Sequence, residues 1–288
     1  MLNIKHILFP VDFSERSCGA VPFVAGMANR FGAKVTVISV AQPFWYAGMG
    51  EPAYPIMFDT DQLKEDLQER LDTSFVNELA GIPVTRVAEL GDPAEMILRY
   101  AKRENVDLIM MPSHGYGPFR SLLLGSTTAK VLHDAGCPVW TGAHMEDPPA
   151  KEHLACRAVL CAVDETPKSA DLIKWAAQFA KDAGATLRLV HAVAGIESWP
   201  ERQLDREFEE AVRLESRKAV EVLAKDAGVD VPICVTVGDV ASVVREEARR
   251  HSADVVVIGR GMIHEKLGRL RTHAHAIVRH APCPVMSV

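Results

Sequence analysis

The chain is written twice, and that repetition limits its fold more than any other feature. His6-Ile-Leu-Phe-Pro-Val-Asp12 matches Ala158-Val-Leu-Cys-Ala-Val-Asp164. Ala33-Lys-Val-Thr-Val-Ile-Ser-Val40 matches Ala185-Thr-Leu-Arg-Leu-Val-His-Ala192. Gly91-Asp92-Pro-Ala-Glu-Met-Ile-Leu-Arg-Tyr-Ala101 matches Gly238-Asp239-Val-Ala-Ser-Val-Val-Arg-Glu-Glu-Ala248. A self-match at this spacing is one unit used twice. Within each unit, short unbroken Val/Ile/Leu runs alternate with amphipathic stretches. Such runs are strands buried on both faces, and alternating helices imply a parallel sheet covered on both sides. The fold class is therefore α/β: two tandem doubly wound domains, each a five-stranded, mostly parallel sheet with helices on both faces.

The expected strands of the first unit lie near 5–10, 34–40, 84–89, 107–111 and 138–142, with helices near 14–31, 60–80, 93–104 and 125–135. Those of the second lie near 157–163, 186–192, 232–237, 254–258 and 284–288, with helices near 167–183, 203–227, 240–251 and 270–280. Asp12-Phe-Ser-Glu15 has capping-box spacing, and Thr166-Pro167 reads as a cap followed by a first-turn proline. Gly32, Gly184 and Gly228 follow helices. The polar, proline-bearing stretch from Met145 to His153 separates the units, which gives domains of 1–146 and 153–288.

At 288 residues there is enough chain for two full cores. A formal charge of −6 gives no basic surface for nucleic acid. No apolar run approaches the ~20 residues that span a bilayer, and the first residues turn polar too early for a signal peptide. The six cysteines form no Cys-x-x-Cys pair, and Cys137 and Cys283 occupy matching repeat positions, which favours a buried role over a disulfide. The expectation is a cytoplasmic protein.

The motif that carries chemistry follows the fourth strand of the first unit. After Asp107-Leu-Ile-Met-Met-Pro112 come Ser113-His114-Gly115, nine further residues, and then Gly125-Ser126-Thr127. A glycine loop followed by Gly-Ser at a helix start suits phosphate, because the backbone can approach the anion and the helix offers unpaired N–H groups. Ser126 adds a hydroxyl, and its plainer reading is a helix cap. Asp12 ends the first strand, where open parallel sheets gather ligands. It suits ribose hydroxyls and equally suits a cap for the next helix. His114 lies in the loop, with nothing around it to set up acid–base catalysis. The second unit has Val255-Val-Val-Ile-Gly259-Arg-Gly261 and Arg271-Thr272 in the corresponding places. Arginine excludes close backbone approach, so this half reads as structural or regulatory. His273 and His275 diverge on their helix, so a metal site there is not expected. The segment from Gln42 to Phe58 breaks the strand–helix rhythm and reads as a lid, a docking surface or local packing.

These residues resemble the universal stress protein family along essentially the whole chain. The resemblance rests on Val11-Asp12, Gly91-Asp92-Pro93, Ser113-His114-Gly115, Leu122-Leu-Leu-Gly-Ser-Thr127 and Cys137-Pro138-Val139. It implies ATP binding in the first half by Val11, Asp12, Val40, Gly115, Gly125, Ser126 and Thr127, beside Pro112 and His114. Pro112 stands where the family pattern has its first glycine, and it lacks an N–H and cannot reach positive φ. Mg²⁺ is the companion ion that Ser126 can help to hold. The resemblance also implies that two such domains pair through their last strands, here 138–142 with 284–288, and that chains can associate further as a homodimer. The leading function is a nucleotide-linked stress-response module that acts through an unidentified protein partner. Two alternatives stand beside it: a slow ATP hydrolase, and a nucleotide-free interaction protein with a relic site. The hydrolase is disfavoured because no placed metal site or nucleophile accompanies the loop.

Overall fold

The protein is described by a computed structural model covering residues 1–42, 59–113, 124–142, 154–193, 206–260 and 270–288. In the first half the elements are β1 (His6–Pro10), α1 (Glu15–Phe31), β2 (Lys34–Ala41), α2 (Thr60–Thr73), β3 (Val84–Leu90), α3 (Pro93–Arg103), β4 (Leu108–Pro112), α4 (Ser126–Asp134) and β5 (Val139–Gly142). The second half repeats them as β6 (Ala158–Ala162), α5 (Lys168–Ala183), β7 (Thr186–Val193), α6 (Arg206–Asp226), β8 (Ile233–Val237), α7 (Val240–Arg250), β9 (Val255–Ile258), α8 (Leu270–His280) and β10 (Val285–Ser287).

The described strands form one ten-stranded sheet in the order β3-β2-β1-β4-β5-β10-β9-β6-β7-β8. Every pairing within a half is parallel, as unbroken apolar strands require. The central pairing is antiparallel: Val139 faces Ser287, Trp140 faces Met286 and Thr141 faces Val285. The last strands of the two halves thus meet inside one chain.

Side-chain alternation sorts each strand between two cores. Ile7 and Phe9 of β1, with Leu108 and Met110 of β4, face α1, α2, α5 and α6. Leu8, Ile109 and Met111 face α3, α4, α7 and α8. Both cores run across the central pairing. On the first face, Phe23 of α1 packs on Trp140 at 5.3 Å, and Phe31 stacks with Phe179 of α5 at 6.2 Å. Each half also pins the start of its first strand with an aspartate. Asp107 accepts from the N–H groups of Lys5 and His6 at 2.8 and 2.9 Å, and Asp254 accepts from Arg157 and Ala158 at 2.7 and 2.9 Å.

Three expectations change. The second helix stops at Thr73 rather than near 80. The Ser74 hydroxyl donates to the Arg70 carbonyl at 2.6 Å, and Phe75 takes a left-handed φ of 57° that turns its ring onto Phe9 at 6.1 Å. Hydroxyls that bond backward in this way compete with helix continuation. The cap of α1 is Ser14, which accepts from Ser17 N–H, and not Asp12. Thr166 does not cap α5 with its side chain, because its hydroxyl donates to Asp164 instead. The glycine expectations agree with the structure: Gly32 and Gly184 end helices at φ of 61° and 66°, and Gly228 follows α6 at 69°. All six cysteines are free. Cys137 and Cys283 precede β5 and β10, where burial pushes their thiols up to about 11 and about 12.

Trp140 is 1 % exposed and sits on the central pairing. Trp140→Ala is expected to cost about 3–5 kcal/mol of stability. Urea unfolding checks this, and a loss below about 1 kcal/mol would show that the junction tolerates a cavity.

Candidate functional site

In each half the strand order reverses beside the first strand, between β1 and β4 or between β6 and β9. Ligands of open parallel sheets bind at such reversals, beyond the carboxyl ends of the strands. In the first half that crevice is bounded by Val11-Asp12 after β1 and by Pro112-Ser113 at the end of β4. Val40 is the penultimate residue of the neighbouring β2, and α4 starts with Gly125 in the cap position and Ser126 as its first residue. The structure therefore brings Val11, Asp12, Val40, Pro112, Gly125, Ser126 and Thr127 to one end of the sheet. His114 and Gly115, like the 43–58 part of the rhythm-breaking segment, lie outside the described residues.

Asp12 organises its own turn. Its Oδ1 accepts from the Ser14 N–H at 3.0 Å, the Ser14 hydroxyl at 2.6 Å and the Ser17 hydroxyl at 2.5 Å. Phe13 is held at φ 58° between them, with the Arg70 guanidinium 3.9 Å above its ring. Local strain of this kind persists where surrounding contacts over-determine it. The second half repeats the network. Asp164 Oδ1 accepts from the Thr166 N–H at 3.0 Å, the Thr166 hydroxyl at 2.6 Å and the Ser169 hydroxyl at 2.7 Å. Burial opposes ionisation of Asp164, but the Ser169 and Thr166 hydroxyls, the Thr166 N–H and nearby His191 outweigh it and hold the carboxyl below the ordinary aspartate range.

The loop after β4 is closed at its neck. Gly125 N–H donates to the Ser113 carbonyl at 3.0 Å, and the Thr128 hydroxyl donates to the Pro112 carbonyl at 3.2 Å. Pro112 does not break the sheet, because Ser113 N–H makes the last bond to β5, at 2.8 Å to the Gly142 carbonyl. Side chains cap α1, α2, α3 and α7, whereas α4 and α5 have no side-chain cap, and of these two only α4 opens on a glycine. Its first N–H groups are the orphan donors that bind anions at helix starts. Ser126 is thus not a cap, and its residue is exposed. Gly125 has φ −57°, open to any residue, so glycine is useful there for its missing side chain and not for backbone freedom.

The second half departs at the same places. Ala281-Pro-Cys-Pro-Val285 aligns with Ala135-Gly-Cys-Pro-Val139, which sets Arg271-Thr272 against Gly125-Ser126. Helix α8 already starts at Leu270, so this pair lies inside its first turn. Leu172 stands where the first half has Ala20, and its Cδ2 is 3.3 Å from where a Cβ on Gly259 would lie. What remains of the crevice among the described residues is a cavity of about 30 Å³ lined by Asp164, Thr166, Lys168, Ser169, Leu172 and Gly259. That is room for about one water. His191 closes the adjoining strand end, with Nδ1 2.9 Å from the Val163 carbonyl and Nε2 3.3 Å from Glu165.

Sequence reasoning overlooked Arg260. Its N–H donates to the Val288 carbonyl at 2.8 Å, and its guanidinium donates to the carbonyls of Ala135 and Cys137 in the other half. It therefore ties the second half's loop to the end of α4. Its signal was its position directly after Gly259, where the first half has Ser113. Among the described residues, no group of three or more His, Cys, Asp or Glu is arranged to hold a metal ion, and no helix is long and apolar enough to cross a membrane.

The comparisons with known proteins follow this geometry. The universal stress protein family model matches residues 3–141 and again 156–288. A universal stress protein of Thermus aquaticus is 36% identical over 138 residues, which is 47% of this chain and 96% of that protein. One of Methanocaldococcus jannaschii is 31% identical over 137 residues, 47% of this chain and 79% of that protein. A crystal structure of a universal stress protein from Archaeoglobus fulgidus shares the fold at a TM-score of 0.68 and 22% identity, covering 99% of this chain and 96% of that one. The doubled unit is the universal stress protein domain. This chain belongs to that family as a tandem, two-domain member.

The Asp164 network can be read directly. Its carboxyl is held below the ordinary aspartate range, so it contributes stability that is fully present above the unfolded value and is lost as pH falls through the lowered folded value. Removing a donor with Ser169→Ala is expected to raise the Asp164 midpoint in a carboxyl NMR titration. An unchanged midpoint would show that the hydroxyl does not stabilise the charge.

Proposed function

We propose that this chain is a cytoplasmic, ATP-binding stress-response module that holds one nucleotide, in its first half, and acts through conformation on a protein partner. The units that act are residues 1–146, which bind, and 153–288, which do not. The single observation that carries this reading is the start of α4: an uncapped helix N-terminus, opened by a glycine and tied at 3.0 Å to the end of β4, at the crevice where the strand order reverses. Family membership supports a shared architecture, and the donor set supports an anionic ligand.

In this reading the N–H groups of Ser126 and Thr127, with the Ser126 hydroxyl, take the phosphates, Gly125 leaves room for their approach while its own N–H holds the Ser113 carbonyl, and the loop at Pro112, His114 and Gly115 joins them. Mg²⁺ accompanies the phosphates beside Ser126. Asp12 accepts from ribose hydroxyls while its Oδ1 serves the Ser14–Ser17 turn, since a carboxylate has several acceptor positions. Val11 and Val40 border the adenine. The second half keeps the Asp164 turn but not the rest: its helix has absorbed the Gly-Ser position, Leu172 replaces Ala20, and His191 stands near the end of β7.

Calorimetric titration of the full chain with ATP and Mg²⁺ tests this. The expected result is one nucleotide per chain, with binding lost in Gly125→Val, whose side chain blocks the phosphates. Two nucleotides per chain, or normal binding by Gly125→Val, would overturn the assignment. Pro112→Gly is expected to tighten binding about tenfold, because glycine frees the backbone at the start of the loop to approach the phosphates.

A further inference from the structure

The two outer edges of the ten-stranded sheet are finished differently. An edge strand presents a row of unpaired N–H and C=O groups, which proteins usually cover. At the β3 edge, Gln68 of α2 covers them as a neighbouring strand would. Its Oε1 accepts from Ala88 N–H at 3.0 Å, and its Nε2 donates to the Arg86 carbonyl at 3.2 Å. At the β8 edge the repeat places Arg217 of α6 in the same role. Arg217 donates to the Ile233 carbonyl at 3.4 Å, the counterpart of Arg86. A guanidinium has no acceptor, so it offers nothing to Val235 N–H, the counterpart of Ala88.

The outward-facing groups of β8 follow from its register. Leu189 N–H takes the Pro232 carbonyl and Gly238 N–H takes the Val193 carbonyl, so even-numbered residues face β7 and Ile233, Val235 and Val237 face out. Alongside them, α6 borders two open grooves. One, of about 510 Å³, has Glu209, Glu210 and Arg213 beside Val235, Thr236 and Val237. The other, of about 500 Å³, has Arg217 and Glu221 beside Pro232 and Ile233. Between Glu210 and Arg217 on the helix lies Leu214, 56 % exposed.

We propose that β8 pairs antiparallel with β8 of a second copy of this chain, across a two-fold axis at Val235. Residues 233, 235 and 237 present their backbone groups at the two-residue spacing that antiparallel pairs exchange. In this register Ile233 faces the second copy's Val237. Arg217, beside Ile233 and paired in its own chain with Glu221 at 2.9 Å, then also meets the second copy's Glu210, beside Val237, and the contact repeats on the other side of the axis. The axis stands perpendicular to the sheet, so both α6 helices lie on one face and run antiparallel. Leu214, midway between the charges, meets Leu214 of the second copy. A self-complementary patch of this kind is what a two-fold dimer needs. The same chain already builds one antiparallel junction between like units, at β5 and β10.

Sedimentation equilibrium of the full chain under reducing conditions tests the proposal. The wild type is expected at twice the mass of one chain. Leu214→Lys sets like charges across the axis, and Arg217→Gln supplies the amide that covers the β3 edge. Each is expected to weaken the dimer by at least about tenfold in Kd, with the thermal melt still cooperative. If Leu214→Lys does not fold, Arg217→Gln alone decides, since it changes one exposed helix residue. A single-chain mass for the wild type would overturn the proposal. So would a dimer that survives Arg217→Gln undiminished.

Discussion

The antiparallel pairing of β5 with β10 is the contact on which the rest of the molecule depends. Each half is a parallel sheet that ends in a short last strand, of four residues in β5 and three in β10. Alone, each would expose that strand's edge and the aromatic patch beneath it. Joined, they bury Trp140 and Met286 in one core and Val139 and Val285 in the other. The Thr141 hydroxyl adds a bond to the Val285 carbonyl at 3.2 Å. Arg260 reinforces the junction at the carboxyl end of β9, beside the start of β5. Both cores continue across the seam, so the two halves share their apolar burial and do not merely touch.

Duplication made the two crevices alike, and substitution made them different. The Asp12 and Asp164 turns keep the same hydrogen bonds within a few tenths of an ångström. These turns belong to the fold as much as to a ligand, because they set the entry of α1 and α5. The differences concentrate beyond them. A helix start left open in the first half is absorbed into α8 in the second, and a small residue becomes Leu172. A histidine–glutamate pair stands at the end of β7, where the first half has Ser39 and Phe13. Among the described residues, the two crevices thus differ in side chains and in where the helix begins, on one shared backbone plan.

Much of the fold was legible because its signals are periodic. Unbroken apolar runs located every strand to within a residue or two, and Gly32 and Gly184 marked helix ends because left-handed φ favours glycine. The misses were local competitions among hydroxyls. Nothing in the order of Asp12 and Ser14 says which will cap α1, since both side chains carry an acceptor for a first-turn N–H. Thr166 gave its hydroxyl to Asp164 for the same reason. The end of α2 depended on Ser74 bonding backward and on Phe75 finding Phe9, a contact distant in sequence. At the site, the uncapped start of α4 and the loss of the crevice to Leu172 needed coordinates. The position of Arg260 was legible but its role was not, because its partners are the carbonyls of Ala135 and Cys137 in the other half, and backbone acceptors leave no trace in a sequence.

The central claim is that the two halves are unequal as nucleotide sites. Photolabelling of the full chain with an azido analogue of ATP, followed by peptide mapping, tests it most directly. The account predicts ATP-protectable label in peptides of residues 1–142 and none in 154–288. Equal label in both halves, or label in the second alone, would contradict it.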